Sequence, residues 1–84
     1  MDTLELLLQH YNSRPFIPLV EAGEFWGHTE KRMKEKIDAG DIRMPYFTPD
    51  DKQKSIKLVR VETLAKILDE RASHAEREFA KLWD

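Results

Sequence analysis

A short helix with very little to bury sets the terms for the rest of this chain. Gly27 and His28 break a preceding apolar run, and Thr29 is placed to cap a helix whose first free N–H groups lie two or three residues on. Met33 and Ile37, four apart, put one narrow apolar stripe on that helix. Lys31, Arg32, Lys34 and Lys36 fall on its other sides, with Glu30, Glu35 and Asp38 among them, and Gly40 suits a left-handed stop. Such a helix has to lie on the surface with one edge down and its cationic flanks free. That shape suits insertion into an anionic partner, and the major groove of double-stranded DNA is the candidate. The plainer reading is a solvated charged face, which is what most basic runs on short helices are.

The remaining residues have to decide between these. With 84 residues and no cysteine, the chain predicts one domain, 1–84, with a single modest core and neither disulfide staples nor thiolate metal sites. No apolar run is long enough to span a bilayer, and Asp2 and Glu5 stand where a signal peptide carries cations, so a cytoplasmic protein without membrane contact is expected. The formal net charge is −2, which counts against a phosphate-binding surface; its distribution does not. Residues 28–60 carry 9 basic and 6 acidic groups, whereas residues 1–27 carry 1 and 4 and residues 61–84 carry 4 and 6. A cationic middle between acidic ends fits a module that meets phosphate on one face.

Along the chain, residues 1–15 hold an amphipathic helix over Thr3 to Tyr11 with Leu4, Leu7, Leu8 and Tyr11 on one face, ended by Asn12, Ser13, Arg14 and Pro15. Pro15 and Pro18 predict extended backbone from Phe16 to Pro18, with Pro18 the first residue of the next helix. That helix is expected over Leu19 to Trp26, apolar on Leu19, Ala22, Phe25 and Trp26, with Gly23 allowing close packing. It and the charged helix form a helix-turn-helix pattern. A hairpin should follow. Ile42, Met44 and Tyr46 alternate with Arg43 and Pro45, Ile56 and Leu58 alternate with Lys57, and a polar tip runs from Thr48 to Ser55. Pro45 confines the first strand to an edge or a bulge. The layout over residues 16–60 is that of a winged helix, whose tip can reach backbone or minor groove beside the inserted helix. Residues 61–84 read as one long helix or two shorter ones, with Val61, Ala65, Leu68, Ala72, Ala75, Phe79 and Leu82 in heptad rhythm. Phe79, Leu82 and Trp83 at its end should either fold back on the N-terminal helix or bury against another copy, with a homo-oligomer slightly favoured over these aromatics being a frayed terminus. The fold class is thus mainly α with a small β-hairpin and a long C-terminal helix.

Nothing in the sequence assembles an enzyme. His10, His28 and His74 lie far apart without metal-ligand spacing, the glycines form no phosphate loop, and Ser13 and Ser55 have no evident base. Asp50 and Asp51 are adjacent and diverge on any backbone, as in a solvated tip. No catalytic residue, cofactor or metal is expected.

Tyr11, Asn12, Arg14 and Pro15, then Ile17, Pro18 and Leu19, open a pattern that continues with Gly27. Lys36 and Ile37 follow, then Ala39, Gly40, Asp41 and Ile42, then Met44 and Pro45. Gln53, Lys54 and Ser55, and finally Leu64, Ala65, Asp69 and Arg71, complete it. In order and spacing this resembles the pyocin activator (PrtN) proteins, small transcription activators of phage-tail-like bacteriocin genes with relatives in prophages. The resemblance covers roughly residues 2–72. It implies an excisionase- or MerR-like winged helix-turn-helix that binds promoter DNA as an activator, with RNA polymerase a further contact. The acidic Pro49, Asp50 and Asp51 and the tail after Arg71 depart from the pattern. On this reading Thr29, Lys31, Arg32, Glu35 and His28 face the groove. Lys34, Lys36, Arg43, Lys52, Lys54 and Lys57, with Gln53 at the tip, hold phosphates. The nearest rivals are an excisionase-like architectural protein that bends DNA and a phage-encoded protein-interaction adaptor or inhibitor.

Overall fold

The first helix is defined at both ends by its own side chains and backbone. In the computed structural model, which describes residues 2–52 and 54–83, α1 (Thr3–His10) starts on Asp2, whose carboxylate accepts from the Glu5 N–H at 2.8 Å. It stops where Asn12 and Ser13 turn left-handed, at φ 57° and 64°. There the Ser13 N–H donates to the Leu8 carbonyl and the Asn12 N–H to that of Gln9, so a short polar residue closes the helix in the role glycine usually takes. Leu7 and Tyr11 are buried and Leu4 and Leu8 pack beside them, as the periodicity predicts. Burial, with the negative charges of Glu21 and Glu24 nearby, pushes the Tyr11 phenol above its ordinary pKa.

The extended Phe16–Pro18 segment is a strand, β1, and this enlarges the expected hairpin to a three-stranded antiparallel sheet. The strand order is β1-β3-β2, with β2 (Tyr46–Phe47) and β1 on the edges and β3 (Leu58–Arg60) between them. Ile17 faces Val59, which also faces Tyr46. The sequence-based register of the third strand is therefore shifted by one residue. Val59 is the buried residue and Ile56 is exposed, because pairing with Ile17 over the core fixes which face turns inward. The first hairpin strand is also shorter than its alternation predicts. Ile42 and Met44 are buried, but ladder pairing begins only after Pro45, which has no N–H to donate.

Pro18 caps α2 (Leu19–Gly23) from outside, with extended backbone at ψ 142°, instead of being its first residue. The helix also ends earlier than expected. From Gly23 onward the N–H groups of Phe25, Trp26 and Gly27 reach back three residues to Ala22, Gly23 and Glu24, so the chain tightens into turns. Phe25, expected on the apolar face, is exposed, and Trp26 is half-buried. α3 (Glu30–Asp38) and α4 (Val61–Trp83) complete the fold, and α4 is one continuous helix. The core joins Leu7 and Tyr11 to Ile17, Leu19, Ala22, Met33, Ile42, Met44, Val59, Val61, Leu64 and Ala65. The Val61 N–H donates to the Pro15 carbonyl and the Leu19 N–H to that of Lys57, so the sheet ties the starts of α4 and α2 together. The molecule is mainly helical, with this small sheet and a long C-terminal helix.

Candidate nucleic-acid interface

α3 is built as the charged stretch dictates. Thr29 accepts from the Arg32 N–H at 3.2 Å, fixing the first turn. At the other end Gly40, at φ 83°, lets the Asp41 N–H reach the Lys36 carbonyl and its own N–H reach that of Ile37. Met33 is fully buried and Ile37 partly so. At 3.6 residues per turn, Lys31, Arg32 and Glu35 lie opposite that stripe, and all three are exposed. The helix can sit this close to α2 because residue 23 is glycine. A Cβ there would lie 2.8 Å from Met33 Cγ and 2.9 Å from the His28 carbonyl oxygen.

The cations expected to contact DNA divide into four settings. On the outer ridge, Arg32 forms a 3.4 Å pair with Glu35, while Lys31 has no ion pair or side-chain hydrogen bond among the described residues. On the flank facing the hairpin, Lys34 donates to Asp38 at 3.0 Å, and Asp38 also accepts from the Tyr46 hydroxyl at 3.0 Å. These bonds hold the Asp38 carboxyl below its usual range and the Lys34 ammonium above its own. Lys57 lies 3.5 Å from Glu30, with only 19% of its side chain exposed. On the opposite flank, His28, Lys36 and Arg43 line a cleft of about 370 Å³ between α3 and α4, together with Trp26, Ile67 and Arg71. Lys36 lies 3.9 Å from Asp41 there.

The fourth setting is the hairpin tip, where Lys52 and Lys54 are exposed and their ammonium groups are unpaired among the described residues. Gln53 lies outside the described residues. The acidic tip is organised around one carboxylate. Asp50 Oδ1 accepts from the Ser55 hydroxyl and, at 2.9 Å, from the Lys52 N–H, and these bonds hold its carboxyl below the ordinary value. Asp50 thus shapes the loop that presents the lysines. The roles of Asp38, Tyr46 and Asp50 had no separate sequence signal, since Tyr46 meets Asp38 only when the chain folds back. The Lys34–Asp38 spacing of four was the one readable part.

Among the described residues no group of three or more His, Asp or Glu side chains is placed to hold a metal ion, and no helix is long and apolar enough to cross a membrane. Comparison with curated proteins and with solved structures found no match. A family model described as Pyocin activator protein PrtN matches residues 3–75, a span from the first helix into the exposed part of α4. The chain belongs to the pyocin activator protein PrtN family.

Proposed function

We propose that this member of a family of regulatory activators is a sequence-specific, DNA-binding transcriptional regulator of phage or bacteriocin-type genes. On this reading α2 and α3 are a helix-turn-helix, α3 is the recognition helix and the β2–β3 hairpin is its wing. The observation that carries it is the exposed ridge of Lys31, Arg32 and Glu35 opposite the buried Met33, together with a hairpin tip that carries two unpaired lysines. Arg32 or Lys31 would bond guanine O6 and N7, and Glu35 would accept from a cytosine amino group. The Arg32–Glu35 pair is half-exposed and has to open or reorient on binding, which makes discrimination depend on the base encountered. Lys52, Lys54 and Arg43 would hold phosphates.

Mobility shifts against a selected DNA pool test this. Arg32→Ala should cost about 1–3 kcal/mol on the preferred site and relax its sequence, whereas Lys54→Ala should weaken all sequences alike. With about five phosphates neutralised, log affinity should fall against log salt with a slope near −4 to −5. A folded protein that ignores every duplex in dilute buffer, and instead retains a protein partner, would make it an adaptor.

A second reading within DNA binding concerns copy number. The second half of α4 leaves Phe79, Leu82 and Trp83 exposed, which favours several copies meeting on one site, as an architectural protein requires. A footprint separates the two: one promoter-proximal site supports activation through RNA polymerase, and a row of repeats supports DNA bending.

A further inference from the structure

Side-chain bridges join α3 to the hairpin at both of its ends. Near the N-terminus Glu30 Oε1 lies 3.5 Å from Lys57 Nζ, just ahead of β3. At the C-terminus both oxygens of Asp38 are occupied, one by the Tyr46 hydroxyl on β2 and the other by Lys34. The two attachment points lie eight residues apart on the helix, about 12 Å along its axis. One point reaches each side of the hairpin.

Single pairs with at least one partner open to solvent contribute little to global stability, so holding the fold together is not what these bridges do best. Two anchors on one rigid helix, however, fix both the distance and the tilt of whatever they hold. We propose that Glu30–Lys57 and Asp38–Tyr46 form a two-point clamp that sets the hairpin against α3, so that the α3 ridge and the hairpin tip meet one duplex together. The proposal rests on the DNA-binding reading above. It also reassigns two lysines: Lys34 and Lys57 are positioning residues and do not hold phosphates. Lys57 is mostly covered, and its ammonium reaches a phosphate only by leaving Glu30. Lys52, Lys54 and Arg43, by contrast, have no partner to leave among the described residues. The depressed Asp38 carboxyl and the raised Lys34 ammonium accord with a bridge that stays charged at neutral pH.

The chain has no cysteine, so spin labels on Lys31→Cys and Lys54→Cys would be unique and would report the ridge-to-tip distance without DNA. The expected result is one narrow distance distribution that broadens in Lys57→Met and Tyr46→Phe and broadens further when both are combined. A distribution unchanged in all three variants overturns the clamp, whether or not the protein binds DNA. On DNA, Lys57→Gln should lower affinity while keeping the salt slope, and combined with Glu30→Gln it should be no weaker than alone. A slope reduced by about 1 would make Lys57 a phosphate contact and overturn its assignment. Failure of the wild type to bind any duplex removes the functional reading, while the label distances still decide whether the clamp exists.

Discussion

Gly23 and Asp50 each sit where close neighbours decide what the residue can be. Alanine is ordinarily better than glycine inside a helix by about 1 kcal/mol. At residue 23 that sign should reverse. The added methyl would press on Met33 Cγ, which can shift, and on the His28 carbonyl, which belongs to the turn that aims α3. Gly23→Ala is therefore expected to destabilise by about 1–3 kcal/mol, read as a lower urea midpoint. An unchanged or higher midpoint would mean that α2 and α3 are not packed this closely. Asp50 gives a pH signature. Hydrogen bonds from the Ser55 hydroxyl and then the Lys52 N–H depress its carboxyl relative to an unfolded value of about 3.9. A depressed carboxylate stabilises fully above the unfolded pKa, and that contribution disappears as pH falls through the lower, folded value. The tip should hold its shape from neutral pH down to about 4 and loosen only in stronger acid. The Lys52 and Ser55 amide resonances would show this, and a midpoint at or above an ordinary aspartate's would contradict the bonds.

Among the elements, those governed by local chemistry were readable and those governed by partners were not. Thr29 and Gly40 announce the bounds of α3 because caps act over three or four residues. The α3 ridge follows from the same periodicity, so Lys31, Arg32 and Glu35 could be placed outward in advance. The third strand could not be placed. Ile56 and Leu58 look like an inward-facing pair, but the inward residue is Val59, chosen by Ile17 from 42 residues away. Lys57 read as a free cation for the same reason, since it meets Glu30 only in the folded chain, whereas the Lys34–Asp38 pair is local. The cap itself carries an expectation. Thr29→Ala removes the acceptor for the Arg32 N–H and should cost about 1 kcal/mol, seen in the unfolding midpoint, with α3 fraying from its first turn in amide exchange. If exchange in residues 30–33 were unaltered, the turn would be held by packing alone.

At the scale of the molecule the unresolved balance is at the far end of α4. The helix has 23 residues, about 34 Å, but only its first two turns meet the core, through Val61, Leu64 and Ala65, with Ile67 and Leu68 beside them. Beyond Leu68 every described residue is exposed, and Asp69, the first of them, accepts from the Thr3 hydroxyl of α1. Phe79, Leu82 and Trp83 are 61%, 80% and 76% exposed, and their one mutual shelter is the Phe79 and Trp83 rings lying 5.8 Å apart. The 14 exposed helical residues beyond Asp69 are marginal in water on their own, so propensity alone does not hold this segment. Each of these side chains regains about 1.5–3 kcal/mol if fully covered, enough for three of them to drive a modest association. A second copy is the expected cover. Sedimentation should then show a concentration-dependent dimer or larger species, with helix content rising as it forms. The triple change of Phe79, Leu82 and Trp83 to serine should leave a monomer with the domain's own unfolding midpoint, since none of the three touches the core. On DNA that monomer should keep its single-site contacts and lose any cooperativity between repeats. A wild-type chain that stays monomeric at high concentration, with and without DNA, would leave the overhang as a frayed end and confine function to the domain that α3 and the hairpin complete.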